Sequence, residues 1–330
     1  MLHVLVPALV AVQVGVAPAE TAPPLRLERT VELADVAGRI DHLALDRKRG
    51  RLWIAALENG SVEVVDLRAG ARVKHVAGLR EPAGVAFAEE RGRVAVGCGG
   101  GTLALFDAEK LELAGAVEGL PDADNVRWDP AHDRVVVAFG EGGLALVDAK
   151  TWSVSARIEL GAHPESFQLD AKGERAFVNI PAKRCVVLVD LGEKKELARV
   201  ALDVAARNYP MLWSEAAHLV AIGCREPAKL VLVDAAKPAV LAAFDLGADV
   251  DDLFLDAKRG RIYAACGGGT VDVFALDATK RDDSACTRTA RVETGDGART
   301  SLFDAAEDRL FVARPKRGAI PAAVLVYAPE

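Results

Sequence analysis

One pattern of apolar and polar positions recurs about every 42 residues along the chain. Each copy has a short apolar strand ending at an anchor position, a few polar residues, usually an Arg, and then two apolar runs joined by a short turn that is usually glycine-rich. The anchor positions of the seven copies are Asp46, Ala88, Asp129, Asp170, Ser214, Asp256 and Asp304. Repetition at a fixed period of this length is typical of solenoids and propellers.

The apolar runs predict the type of element. The run after the Arg is apolar at almost every position, as in LWIAA, VVVAF and VAIGC, which indicates a strand covered on both faces. Turns such as ENGS and GGGT are typical of hairpins, because Gly tolerates a positive φ. A further strand closes each copy, so the sequence predicts an all-β, seven-bladed β-propeller of four-stranded antiparallel blades.

The ends of the repeat predict how the ring closes. The seventh copy supplies three strands before Glu330, whereas residues 26–34 (RLERTVELA) look like a fourth strand and precede the first complete copy. We therefore predict that 26–34 completes blade seven and closes the ring without a free edge. Residues 26–330 then form a single domain, although the length of the chain alone would suggest two.

The first residues are typical of an export signal. Residues 1–19 contain a 14-residue apolar stretch followed by Ala17-Pro18-Ala19, a small-residue cleavage pattern, although no Lys or Arg precedes the stretch. We predict a signal peptide at 1–19 and a linker at 20–25, and hence a periplasmic or secreted protein. The alternative is a buried N-terminal strand in a cytosolic protein.

Composition narrows the classes of partner. The 330 residues are 51% hydrophobic and carry a net charge of −7, without a long basic run, which disfavours nucleic-acid binding. No apolar stretch of about 20 residues follows the N-terminus, so no integral membrane domain is expected. We expect a monomer whose partner is a small molecule or a protein.

The fourth copy carries a resemblance to a known family. Its segment AFVNIPAKRCVVLVDLGEKKELARVAL resembles the YVTN-type repeat of YncE-like propellers, and WIAALENGSVEVVDL of the first copy is similar. Phe177-Val178-Asn179 is the nearest match, whereas most copies have Ala or Gly where the family has Thr-Asn. The resemblance implies a propeller over 26–330, in a family that includes exported bacterial proteins of unassigned role. Propellers with lactonase activity are a weaker resemblance.

Candidate chemistry lies where the innermost strand of each blade begins, because the repeat places these positions around one mouth of the central channel. The residues five positions before the anchor are Asp41, Ala83, Asp124, Glu165, Tyr209, Asp251 and Arg299. The next position holds His42, Gly84, Asn125, Ser166, Pro210, Asp252 and Thr300. Unlike the anchor Asp and its Arg, these residues differ from copy to copy, as a binding site can. We predict ligand contacts from Asp41, His42, Asp124, Asn125, His163, Glu165, Asn208, Tyr209, Asp251, Asp252 and Arg299.

The carboxylates of the first column suggest a cation site. Asp41, Asp124, Glu165 and Asp251 are oxygen ligands of the kind that Ca²⁺ or Mg²⁺ prefers. They could equally hold an ammonium group or supply a general base, since crowded carboxylates resist ionisation. His42 and His163 could act as acid, base or ligand. The structural alternative is that all these side chains cap strand starts and line a water-filled channel.

The five cysteines do not form a metal motif. Cys98, Cys224 and Cys266 share one repeat position at the end of a strand, where a small buried residue is expected, and no CxxC or HExxH occurs. The glycine-rich GCGGGT leads into a strand, so it offers no helix N-terminus to a phosphate.

Three functional hypotheses follow. The first is an exported YncE-like propeller that binds a small ligand or protein at the acidic mouth. The second is a lactonase-like hydrolase with a divalent cation that polarises an ester and activates water. The third is a cytosolic scaffold for protein interactions.

Overall fold

The computed structural model describes residues 23–140 and 142–330, and the predicted signal peptide lies outside this part. The described chain contains 28 β-strands and two single-turn 3₁₀ helices, at Glu89–Arg91 and Pro181–Lys183. No helix in this part is long and apolar enough to cross a bilayer.

The strands follow the repeat. The first is β1 (Leu25–Glu32). Blade 1 is β2 (Leu43–Asp46), β3 (Arg51–Ala56), β4 (Ser61–Asp66) and β5 (Ala71–Ala77). Blade 2 is β6 (Pro82–Ala88), β7 (Arg93–Cys98), β8 (Thr102–Asp107) and β9 (Glu112–Glu118), and blade 3 is β10 (Val126–Asp129), β11 (Arg134–Phe139), β12 (Gly143–Asp148) and β13 (Ser153–Glu159). Blade 4 is β14 (Phe167–Leu169), β15 (Arg175–Ile180), β16 (Cys185–Asp190) and β17 (Lys195–Ala201).

The remaining strands make three further blades. Blade 5 is β18 (Ala206–Ser214), β19 (Leu219–Glu226), β20 (Ala228–Asp234) and β21 (Ala239–Asp245). Blade 6 is β22 (Val250–Asp256), β23 (Arg261–Cys266), β24 (Thr270–Leu276) and β25 (Cys286–Glu293). Blade 7 joins β26 (Thr300–Asp304), β27 (Arg309–Arg314) and β28 (Ala323–Pro329) to β1. Neighbouring strands pair antiparallel, so the all-β, seven-bladed fold is confirmed.

The ring closes through the two ends of the described chain. Strand β1 pairs antiparallel with β28, from Leu25 opposite Pro329 to Glu32 opposite Ala323. The first strand is thus the outermost strand of the last blade, and the final residues lie beside Pro24, whose carbonyl accepts the Glu330 amide. A single sheet made from both ends holds the ring shut.

The core lies between blades rather than within one blade. Seven clusters of buried apolar residues each join side chains of two neighbouring blades, and Phe311 of blade 7 meets Ile54 of blade 1 in this way. Strands such as β3 and β11 are buried along almost their whole length. This two-sided burial explains why their sequences lack the alternation of a half-exposed strand.

The anchor Asp holds the turn between the first two strands of its blade. Asp46 and Asp256 each accept the backbone amide three residues later and pair with the side chain of that same residue, Arg49 or Arg259. The Arg five positions after the anchor bonds the anchor at Arg134, where Nε lies 2.8 Å from Asp129 Oδ2. These contacts, in blades 1, 3 and 6, hold turns of the scaffold.

Candidate functional site at the channel mouth

The predicted ring of polar residues surrounds a cavity of about 430 Å³ at the end of the channel where the inner strands begin. Register shifts at the starts of β6, β18 and β22 interrupt the regular pairing at this end of the blades. Asp41, Asp124, His163, Glu165, Tyr209 and Asp251 line this cavity. The topology therefore brings together residues from blades that lie far apart in sequence.

Arginines neutralise one part of the mouth. Arg299 Nε lies 3.0 Å from Asp251 Oδ2, and Arg225 also pairs with Asp251. The same two arginines contact Asp249, at 3.2 Å from Arg225 and 2.7 Å from Arg299. This group ties blades 5, 6 and 7 together.

Asp41 has an arginine of its own. Arg39 Nη2 lies 3.0 Å from Asp41 Oδ2 and 3.9 Å from Asp251 Oδ2. The carboxylates of Asp41 and Asp251 raise the pKa of Arg39, although its burial acts in the opposite direction. Two of the four carboxylates predicted as metal ligands are thus already held by cations of the protein.

The other part of the mouth has no arginine ion pair among the residues that the structure describes. Within residues 23–140 and 142–330, the ion-pair contacts of Asp124 and Glu165 are to His163, whose Nε2 lies 4.0 Å from Asp124 Oδ2 and 3.7 Å from Glu165 Oε1. On its other side, His163 Nδ1 lies 3.4 Å from the exposed Asp122. Asp124 and Glu165 therefore share a histidine and have no arginine within ion-pair distance in the described residues.

These two carboxyls titrate far from their ordinary range. Burial, together with the charges of Asp41 and Glu165, raises the pKa of Asp124 to about 7. Burial, with the charges of Asp251 and Asp41, raises the pKa of Glu165 to about 7. Each carboxyl resists ionisation because it is partly desolvated and faces other acids. A positively charged ligand would reduce the repulsion between the ionised carboxylates.

A second layer lies just inside the mouth. His42, Asn125, Glu165 and Asp251 surround a further void of about 20 Å³. Asp41 Oδ1 and Asn125 Oδ1 are buried and accept no hydrogen bond from the described part of the chain. Buried acceptors are nearly always satisfied in native proteins, so these two point to a missing donor such as a water molecule or a ligand.

Three of the predicted ligand contacts, Asn208, Asp252 and His42, do not line the cavity of the mouth. Asn208 is fully buried and donates to Asn179 Oδ1 and the Cys185 carbonyl, so it joins blades 4 and 5 rather than lining the mouth. Asp252 accepts the Ser301 amide, and His42 Nδ1 lies 3.6 Å from it. Burial raises the pKa of Asp252 well above its ordinary value.

Sequence comparison of the copies missed Arg39 and Arg225. Arg225 stands eleven positions after its anchor, in a column otherwise occupied by Leu57, Gly99, Gly140, Pro181, Gly267 and Pro315. The glycines in this column make room for acids of the mouth, since a Cβ at Gly267 would lie 2.1 Å from Asp249 Oδ2. The presence of an arginine in a column of glycine, proline and leucine was the sequence signal that Arg225 could belong to the mouth.

A metal ion has one candidate ligand set in the described residues. One ligand atom each from Asp124, His163 and Glu165 lies within 4.8 Å of the others. The set shares Asp124 and Glu165 with the four predicted carboxylates and replaces the arginine-bound Asp41 and Asp251 with a histidine. Such a mixed set suits divalent cations that accept both imidazole and carboxylate.

Comparison with known proteins supports the fold and does not assign a function. No protein-family description matches the chain, and no curated protein matches it. Among solved structures, a chain of Kuenenia stuttgartiensis hydrazine synthase superposes with a TM-score of 0.74 at 14% identity, covering 87% of this chain and 97% of that one. A chain from the crystal structure of a mitotic checkpoint complex gives 0.78 at 14% identity and covers 99% and 98%. The protein is a seven-bladed β-propeller, and likenesses at this identity show the fold alone.

Proposed function

We propose that this propeller is a binding protein whose acidic mouth takes a positively charged group of a small ligand or protein partner. The observation that carries the proposal is the arrangement of Asp124 and Glu165 beside His163, with no arginine or lysine within ion-pair distance in the described chain. The arginines of the mouth already pair with Asp41, Asp249 and Asp251. An incoming cation therefore meets its strongest attraction at Asp124 and Glu165.

The site couples binding to proton release. Because the pKa of Asp124 and that of Glu165 are both about 7 in the free protein, each carboxyl is partly protonated at neutral pH. A bound cation favours the ionised forms, so affinity should rise between pH 6 and pH 8. An uncharged ligand at the same place would show no such gain.

The test is calorimetric titration of the full chain with N-acetyl-lysinamide, whose ammonium group matches a lysine of a protein partner, and with 1,5-diaminopentane as the small-molecule probe. N-acetyl-norleucinamide, which lacks the ammonium group, is the ligand control. We expect the double variant Asp124→Asn with Glu165→Gln to lose at least about tenfold in affinity, since hydrogen bonds to charged groups contribute about 1.5–3 kcal/mol.

The control variant is Glu112→Gln, an exposed acid on the outer strand of blade 2. It should bind both amines like the wild type. Equal binding of the norleucine compound, or unchanged affinity in the double variant, would contradict the proposal. A preference between the two amines would separate a protein partner from a small ligand.

We place this function in a YncE-like propeller that is periplasmic or secreted and acts as a monomer. The support is the apolar stretch and small-residue pattern of residues 1–19, together with the repeat of the fourth copy. N-terminal sequencing of the protein from its source should find a mature chain beginning at Glu20. A cytosolic protein that retains 1–19 would instead favour the interaction scaffold.

A second candidate function is lactonase-like, metal-assisted hydrolysis. The observation that favours it is the convergence of Asp124, His163 and Glu165 within 4.8 Å. Bound there, a divalent cation that accepts both imidazole and carboxylate would polarise an ester carbonyl and lower the pKa of a water molecule. Metal analysis of the purified protein and lactone hydrolysis with added Ca²⁺, Mg²⁺ or Zn²⁺ test it, and His163→Ala should lower both metal content and activity if an imidazole-binding ion is used. A metal-free protein that the ions neither stabilise nor activate would exclude this function.

A further inference from the structure

A larger chamber occupies the channel beyond the acidic mouth. It has a volume of about 460 Å³ and extends from His42 and Asp252 to Arg47, Glu89 and Glu90. The first two residues lie at the starts of inner strands, whereas the last three follow the ends of such strands. The chamber thus faces the side of the propeller opposite to the mouth, and its volume suits a small organic ligand.

The middle of the chamber, between its two charged ends, is lined mainly by apolar side chains. These come from the three positions before the anchor in the inner strands of blades 1, 2, 3, 6 and 7, with Gln168 from blade 4, and Arg127 is the single charged residue among them. The aromatic residues that line the chamber are Phe87, Trp128, Phe254 and Phe303. Aliphatic side chains such as Leu43 and Leu253 fill the space between them. This middle layer can hold the apolar part of a ligand, while the polar groups lie at the two ends of the chamber and at Arg127.

Arg127 has no carboxylate partner in the described part of the chain. In residues 23–140 and 142–330, the hydrogen bond of its guanidinium is the 2.9 Å contact from Nη1 to the Val126 carbonyl, and no carboxylate oxygen lies within 4 Å. Its Cζ lies 5.4 Å from the ring centroid of the buried Phe167, which fixes its orientation. Burial lowers the pKa of Arg127, although Asp252 and Asp124 act in the opposite direction. Most of its five N–H donors are free to meet a ligand.

We propose that this chamber binds a small amphipathic carboxylate, with the acid group on Arg127 and the apolar part against the aromatic walls. A guanidinium accepts a carboxylate through two parallel hydrogen bonds, and this contact is strong where water is excluded. Asp252 opposes this contact little, because burial raises its pKa and favours its neutral form. Of the other acids that line the chamber, Asp304 pairs with Arg47, and Glu89 and Glu90 follow the end of an inner strand, away from the middle layer that contains Arg127. The chamber thus selects the charge opposite to that selected by the mouth.

The experiment uses the full chain and two pairs of ligands that differ only in the acid group. Calorimetry at pH 7 compares 4-phenylbutyrate with 4-phenylbutan-1-ol, and octanoate with octan-1-ol. We expect each acid to bind at least about tenfold more tightly than its alcohol, because the bond to Arg127 is charge-assisted. Quenching of tryptophan fluorescence by the acids should be lost in Trp128→Phe, which locates the ligand in the chamber.

Variants test the role assigned to Arg127. Arg127→Met should abolish the preference for the acid, whereas Arg127→Lys, which keeps the charge but not the fork of donors, should reduce it. Arg68→Met, at an exposed arginine in a turn of blade 1, is the matched control and should keep the full preference.

Three outcomes would overturn the proposal. The first is failure of both acids to bind at millimolar concentration, and the second is equal binding of acid and alcohol. The third is an unchanged preference in Arg127→Met or, if that variant does not fold by circular dichroism, in Arg127→Lys.

Discussion

The guanidinium of Arg225 lies 4.2 Å from the ring centroid of Tyr209 and also contacts Asp249 and Asp251 of the next blade. Stacking on the ring fixes the arginine in its own blade, while the ion pairs reach across to blade 6. The geometry makes Arg225 a structural tie between two blades as well as part of the mouth. Its removal should therefore affect stability more than an exposed ion pair does.

We expect Arg225→Met to lower the free energy of unfolding by about 2–4 kcal/mol at pH 8, because it leaves the nearly buried Asp251 with less compensation. The matched control is Arg207→Met in the same blade, whose pair with Glu226 is exposed on both sides. Arg207→Met should lower the free energy of unfolding by less than about 0.5 kcal/mol. Urea unfolding of both variants makes the comparison, and equal losses would contradict the role given to Arg225.

The second prediction concerns pH. The pKa of Asp124 is about 7 in the folded protein, whereas an ordinary Asp has a pKa of 3.8. Between these values the folded chain holds the proton that the unfolded chain has lost, so the free energy of unfolding falls as pH rises through this window. Asp124→Asn removes the effect and should stabilise the protein by about 1–3 kcal/mol at pH 8 and hardly at all at pH 4.

Thermal unfolding at the two pH values measures this difference. The control is Asp122→Asn, at a carboxylate in the same loop that is 65% exposed and should change stability little at either pH. Loss of stability in Asp124→Asn at pH 8 would show that this carboxyl is held by favourable contacts instead of repulsion.

The fold could be predicted because each copy of the repeat shows the same pattern of strands and turns independently. The apolar runs, the glycine turns and the anchor Asp recur, so one unclear copy, such as the fifth with Ser214, is settled by its neighbours. The closing strand followed from the missing fourth strand of the last copy. Strand β1, at Leu25–Glu32, begins and ends close to the predicted 26–34.

The site could be predicted only in part, because a repeat places residues in rings but does not pair them. Asp41, Asp124, Glu165 and Asp251 look equivalent in the sequence. Only the structure shows that Arg39, two residues earlier in the same loop, pairs with Asp41, and that Arg225 and Arg299 from the neighbouring blades pair with Asp251. The contact of Asn208 with Asn179 could not be predicted for the same reason, because Asn179 belongs to another column.

The third prediction concerns the cysteines. All five are buried and free, and burial raises the pKa of Cys224, Cys266 and Cys286 to about 12. We expect fewer than one thiol per chain to react with Ellman's reagent in the native protein at pH 8, and all five in guanidinium chloride, because the thiolate is the reactive form. Ala201→Cys, at an exposed position of β17, should add one fast thiol. Rapid native labelling without that substitution would contradict the buried placement.

The last prediction tests ring closure through two positions of one strand. Val31 is buried between blades 7 and 1, whereas Leu27 on the same strand is 50% exposed. We expect Val31→Asp to destabilise the protein by about 3 kcal/mol or more, since it places an unpaired charge in the closing core. Loosening of β1 would also uncover the edge of β28, so the variant should form larger species in size-exclusion chromatography with light scattering. Leu27→Asp makes the same chemical change on the solvent side and should stay as stable and as monodisperse as the wild type. If the two variants behave alike, β1 does not hold the ring closed in solution.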